Sequence, residues 1–92
     1  MIERRTRAEI LFDILRIVQQ EEGKAKTTRI LYGANLSYAR LKKHLDYLIQ
    51  NQFIEKNQKN DSTFFTLTNK GLSFVQEFRK IKRFSDAFGI SF

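Results

Sequence analysis

The chain has 92 residues, enough for one small core, and its 17 Lys and Arg against 10 Asp and Glu give a formal charge of +7 and a pI near 10.0, which favours a polyanionic partner. The absence of cysteine excludes disulfides, thiolate metal sites and cysteine catalysis, and one histidine cannot build a metal site by itself. No run approaches the roughly 20 apolar residues of a membrane span, and Met1-Ile2-Glu3-Arg4-Arg5 lacks the apolar core of a signal peptide, so the expected location is cytoplasmic.

Over residues 5–20, Ile10, Leu11, Ile14, Leu15 and Val18 recur at helical spacing, and Glu21-Glu22-Gly23 supplies a stop. Phe12 and Ile17 lie off that stripe, which asks for cover on a second side. Arg4, Arg5 and Arg7 precede or open this helix and can form a flexible basic arm along the backbone of a polyanion; the alternative is a solvated terminus. Lys24-Ala25-Lys26 can be one rung of a small sheet. Thr27 then caps a second helix over residues 28–32, and Gly33-Ala34-Asn35 is a turn.

Ser37 is the expected N-cap of a third helix reaching Gln50, with Leu41, Leu45, Leu48 and Ile49 forming one buried stripe. Ala39, Arg40, Lys43, Tyr47 and Gln50 point away from it, with Lys42 and Tyr38 on the flank. From Gly23 to Leu45 the chain carries six cations (Lys24, Lys26, Arg29, Arg40, Lys42, Lys43) and no acid, so the charge concentrates on this segment. Two short helices joined by a tight turn form a helix-turn-helix.

Residues 53–57 and 63–67 are rich in β-branched and aromatic side chains and flank the polar turn 58–62, which reads as a hairpin. Phe65, Leu67 and Ile54 share its inner face, and Lys56, Lys59 and Asn60 sit near its solvent-facing tip. Thr68 caps a last helix over residues 69–84, followed by a tail over 85–92. Leu72 and Val75 can pack on the hairpin and first helix, whereas Phe74, Phe78, Ile81, Ser85 and Phe88 have the spacing of a helix seam and call for a partner helix. The alternative is that these aromatics fold back on Phe12 and Ile17 of the same chain.

The run Thr28-Arg29-Ile30-Leu31-Tyr32-Gly33-Ala34-Asn35-Leu36-Ser37-Tyr38, then Leu41, Leu45 and Leu48, Phe53-Ile54-Glu55, and Leu67-Thr68-Asn69-Lys70-Gly71, resembles the small archaeal winged-helix DNA-binding proteins, a group that includes chromosomal proteins and transcription regulators. The resemblance spans residues 5–83. It implies an α+β, mostly α, winged helix-turn-helix fold, with a three-helix core, a β-hairpin wing and a C-terminal helix for dimerisation. Residues 1–67 would be the DNA-binding domain and residues 68–92 the dimerisation element. Gln52 stands where such sequences often end the recognition helix with glycine, which predicts a tighter or less regular turn into Phe53. The last helix is also shorter than the long coiled-coil helix of the chromosomal members.

On this reading the partner is double-stranded DNA, engaged by a homodimer at the nucleoid, with the third helix in the major groove and half-sites about 10 base pairs apart or a multiple of that. The candidate DNA-binding residues are Ser37, Tyr38, Arg40, Lys42, Lys43, Tyr47, Lys56, Lys59 and Asn60, and the candidate dimerisation residues are Phe74, Phe78, Ile81, Ser85 and Phe88. Arg40 can clamp a phosphate or make a bidentate contact to guanine, and Lys43 suits a phosphate. The bland counterparts are an ordinary solvated cationic face, tyrosines that border the core, and a hairpin tip that is polar as most are. Arg79, Lys80, Lys82 and Arg83 either add nonspecific contacts or keep a dimer soluble, and His44 at the stripe's edge reads as a packed histidine.

Asp46, Glu55 and Asp61 are scattered with no nucleophile, base or metal set around them, so no enzyme, cofactor or small-molecule ligand is expected. The expected function is that of a transcription regulator, with a nonspecific chromosomal protein as the alternative. A protein-interaction winged helix needs an acidic partner to suit the charge, and RNA binding lacks the usual stacking sheet.

Overall fold

The computed structural model describes residues 5–90, so Arg4 of the expected arm and Ser91 and Phe92 of the expected tail lie outside the described residues. Thr6 and Glu9 close a capping box, each side chain bonding the other's backbone amide, and start helix α1 (Arg7–Gln20). Arg7 therefore opens the helix, and Arg5 is tied by an ion pair of 2.9 Å to Asp13, so neither belongs to a loose arm.

Helix α1 is the centre of the core, with Ile10, Leu11, Phe12, Ile14, Leu15, Ile17 and Val18 all buried. Its second side is covered from two directions. Helix α2 (Thr27–Ala34) lays Gly33 on Ile17, where an added Cβ would stand 2.7 Å from Cδ1. A last helix, α4 (Asn69–Phe88), stacks Phe78 on Phe12 with ring centroids 4.7 Å apart. The fold-back alternative thus holds for Phe12, while Ile17 is covered by α2.

Helix α2 differs from expectation at both ends. Lys26 is its N-cap without a side-chain hydrogen bond, Thr27 is already helical, and the helix runs through Gly33 to Ala34. Only Asn35 turns into the left-handed region, at φ 54°. Helix α3 (Tyr38–Gln50) begins as expected, the Ser37 hydroxyl accepting from the Arg40 amide at 3.3 Å, and buries Leu41, Leu45 and Leu48.

The turn after α3 is regular despite its residue. The Phe53 amide reaches the Leu48 carbonyl at 2.9 Å and the Gln52 amide the Ile49 carbonyl at 3.1 Å, the paired bonds of a Schellman ending. Gln52 supplies the left-handed position at φ 62°, where glycine would be unstrained.

Strands β1 (Ile54–Lys59) and β2 (Ser62–Leu67) pair antiparallel, Ile54 opposite Leu67 and Lys56 opposite Phe65. Their loop is two residues, Asn60 and Asp61, both at positive φ (51° and 64°), so the expected five-residue turn is shorter because Gln58, Lys59 and Ser62 join the ladder. Ala25 adds the expected third rung, its carbonyl accepting from the Phe65 amide at 2.8 Å.

Thr68 caps α4 and also locks it to the end of α3. Its hydroxyl accepts from the Gly71 amide at 3.0 Å and donates to the Gln52 carbonyl at 2.6 Å. Lys70 donates to the Asn51 carbonyl at 2.9 Å and lies 4.5 Å from the Phe53 ring centre. Helix α4 continues to Phe88, a turn beyond the expected end, because no breaker precedes Gly89, which caps it at φ 67°.

Candidate nucleic-acid interface

Because Leu41, Leu45 and Leu48 hold α3 on the core, its remaining positions are sorted by helical geometry into an apex and two flanks. The apex carries Ala39, Lys43, Asp46 and Gln50, all exposed. Ser37 serves the backbone rather than the surface, since its hydroxyl is engaged by the Arg40 amide.

The flank toward the hairpin carries Tyr38, 63% exposed, and Lys42, which pairs with Asp46 at 3.7 Å. Between this flank and the strands is a cleft of about 210 Å³ that Tyr38, Lys42, Asp46, Lys56 and Thr63 help to line. Lys56 is opposite Phe65 in the ladder and so faces α3, which corrects its expected position at the hairpin tip. Lys59 and Asn60 do occupy the tip, at the last pair and the first loop residue.

The other flank carries Arg40, His44 and Tyr47 and faces the start of α1. Tyr47 does not project outward with Arg40 as expected: it is half-buried against the core, with the Arg7 guanidinium 4.2 Å above its ring centre. Arg5 reaches the Asn35 carbonyl at 3.5 Å on the same side. Burial first, and then the charges of Arg7, Arg40, Lys43 and Arg5, hold the half-buried His44 below its ordinary pKa.

The sequence named Arg7 as part of a basic arm but did not place it against Tyr47 on this flank of α3. The Thr6-x-x-Glu9 pattern signals it, because a capping box makes Arg7 helical instead of free. Tyr32 on α2 was also missed; it is 76% exposed. Nearby, Arg29 pairs with Glu21 at 3.6 Å, and Lys26 lies 5.7 Å from the Phe64 ring centre.

The five candidate seam residues divide. Phe74 and Phe78 contact their own chain, Phe74 edge-on to Phe53 at 5.6 Å and Phe78 stacked on Phe12. Ile81 and Phe88 are 42% and 67% exposed, and Ser85 donates to the Ile90 carbonyl. Phe84 and Ile90, also about half exposed, extend this apolar strip, with the Phe84 and Phe88 rings 4.8 Å apart. Among the described residues no cluster of metal-ligating side chains occurs, and no helix is long and apolar enough to cross a membrane.

A winged helix-turn-helix family model matches residues 4–86. The chain is 41% identical over 68 residues to an uncharacterized protein of Methanocaldococcus jannaschii, covering 74% of this chain and 64% of that one. It is 32% identical over 80 residues to a second uncharacterized protein of the same organism, covering 87% of this chain and 35% of that one, so it spans less than two thirds of either relative. Among solved structures, Sso10a-2, a DNA-binding protein from Sulfolobus solfataricus, superposes with a TM-score of 0.80 at 28% identity, covering 91% of this chain and 85% of that one.

Proposed function

The chain belongs to the winged helix-turn-helix family, and from that premise we propose that it binds double-stranded DNA as a homodimeric transcription regulator in the cytoplasm, with α3 in the major groove and the hairpin as its wing. The observation that carries this reading is a helix of groove-filling size with an exposed Lys43 at its apex and cations along both flanks. The DNA-binding Sso10a-2, similar over nearly the whole chain, supports it. Residues 1–67 form the DNA-binding unit and residues 68–92 the dimerising one. The exposed strip of Ile81, Phe84, Phe88 and Ile90 supports dimerisation, because an apolar helix face of this kind gains by being covered.

A nonspecific chromosomal role is the second reading, favoured by the flanks, whose cations suit phosphates more than base edges. Binding to a randomised pool and to one arbitrary duplex across a salt series, with Arg40→Ala and Lys43→Ala beside wild type, separates the two. A palindromic site bound at least about a thousandfold tighter, with the ratio collapsing in Arg40→Ala, supports the regulator. Uniform binding that weakens steeply with salt and falls equally in both variants supports the chromosomal protein. No binding at low salt rejects both in favour of a protein-interaction domain. Sedimentation tests the dimer, which Phe88→Lys is expected to dissociate.

A further inference from the structure

Charged and titratable groups of α1 and α3 that are more than 30 residues apart in the sequence meet on one side of the recognition helix. The Arg7 guanidinium is held over Tyr47 at 4.2 Å, and Arg7 is exposed. Arg40 and Lys43 are exposed on the adjoining turn of α3, and the half-buried His44 feels the charges of both and of Arg7 and Arg5 on the α1 side. Asp13 is already engaged, by Arg5 at 2.9 Å and Arg16 at 3.6 Å. The like charges repel one another at this spot, and an anion placed among them relieves that repulsion.

We propose that Arg7, Arg40 and His44 form a second phosphate site on the α1 side of α3, beside Lys43 at the apex, which takes a backbone phosphate of the DNA strand opposite the one met by Lys42, Lys56 and the wing. The inference rests on the DNA-binding reading and adds α1 to it. An α-helix with its side chains is about 10–12 Å across, and the major groove is about 12 Å wide, so cations on the two flanks of α3 reach the two phosphate walls. Arginine held by its aromatic stack loses little freedom on meeting phosphate and can bond it with two donors.

A consequence follows for His44. In the free protein burial and the cations Arg7 and Arg5 from the α1 side, with Arg40 and Lys43 from its own helix, keep it neutral at higher acidity than an ordinary histidine. A phosphate at the site favours the charged imidazolium, so binding takes up a proton. DNA affinity therefore rises as the pH falls toward and below 6.5, the ordinary value beneath which the free protein's His44 titrates.

The test measures affinity for one short duplex against salt and pH, by fluorescence anisotropy, with wild type, Arg7→Gln, Arg7→Lys, His44→Gln and Lys43→Ala, each checked for its fold by circular dichroism. Arg7→Gln is expected to shallow the salt slope by about one unit and to weaken binding roughly eightfold near 0.1 M salt, while Arg7→Lys retains the slope. Wild type is expected to bind more tightly at the acid end and His44→Gln to lose that dependence, with the NMR titration of His44 moving to higher pH in the complex. If Lys43→Ala weakens binding but Arg7→Gln and the His44 titration are unaffected by DNA, the α1 site is overturned and the DNA reading survives. If wild type fails to bind at low salt, both fall.

Discussion

Gly71, on the first turn of α4, lies so close to the carbonyl oxygen of Phe53 that a Cβ there would overlap it, while also meeting Leu67 Cδ2 at 3.0 Å. The absence of a side chain is what lets α4 cross the end of α3 at this distance. Backbone cannot move aside as a flexible side chain can, so Gly71→Ala is expected to cost at least about 2 kcal/mol. In thermal denaturation that is a fall of roughly 10 °C for a domain of this size. Gly33→Ala meets only the end of the Ile17 side chain, at 2.7 Å, and should lose distinctly less.

Thr68 makes the same junction from the other side. Its hydroxyl serves the Gly71 amide and the Gln52 carbonyl at once. Thr68→Val keeps the shape and removes both bonds, so the expected loss is about 1–2 kcal/mol by chemical denaturation with an unchanged m-value. Retention of wild-type stability would mean that the lock rests on Lys70, packing and the bond of the Thr68 amide to the Phe53 carbonyl.

Gln52 is in the left-handed region at φ 62°, a conformation that costs a residue with a side chain about 1–2 kcal/mol. Glycine escapes this cost but is freer in the unfolded chain, so Gln52→Gly should stabilise by about 0.5–1 kcal/mol net. Asn35→Gly, at φ 54°, is the matched control and should gain less, because asparagine tolerates this region. A destabilised Gln52→Gly would show that the glutamine side chain contributes a contact worth more than the strain.

His44 titrates below its ordinary value of 6.5 in the folded protein, chiefly through burial and then through Arg7, Arg40, Lys43 and Arg5. The unfolded chain therefore binds the proton first as the pH falls. Its contribution to stability is complete above the unfolded value of 6.5 and is lost as the pH drops through the folded one. The DNA-free protein should melt at a lower temperature as pH falls through this window, and His44→Gln should flatten that part of the profile. The proposed effect on DNA binding runs the opposite way, so the two can be measured apart.

Local patterns were legible because their causes are local. A hydroxyl three residues ahead of a free amide identified Ser37 and Thr68 as caps, and the spacing of Leu41, Leu45 and Leu48 identified the buried stripe of α3. Together with the hairpin, these were enough for the winged-helix order. Some local choices still misled. Thr27 looked like a cap but is inside its helix, and Asn60-Asp61 turns the hairpin without glycine, so the polar stretch looked longer than the loop it holds.

The sequence by itself determined the element order, the helix starts at Ser37 and Thr68, and where the positive charge gathers. Only the tertiary structure decided what those elements face. Seam spacing keeps Phe74, Phe78, Ile81, Ser85 and Phe88 on one side of α4, but Phe12 and Phe53 occupy the first two because α4 crosses α1 there and then projects past it. In the same way no spacing rule joins Arg7 to Tyr47, or turns Lys56 toward α3. Periodicity acts between near neighbours in the chain, whereas these contacts depend on how whole helices pack, and that is set by the sum of many small burials rather than by any one motif.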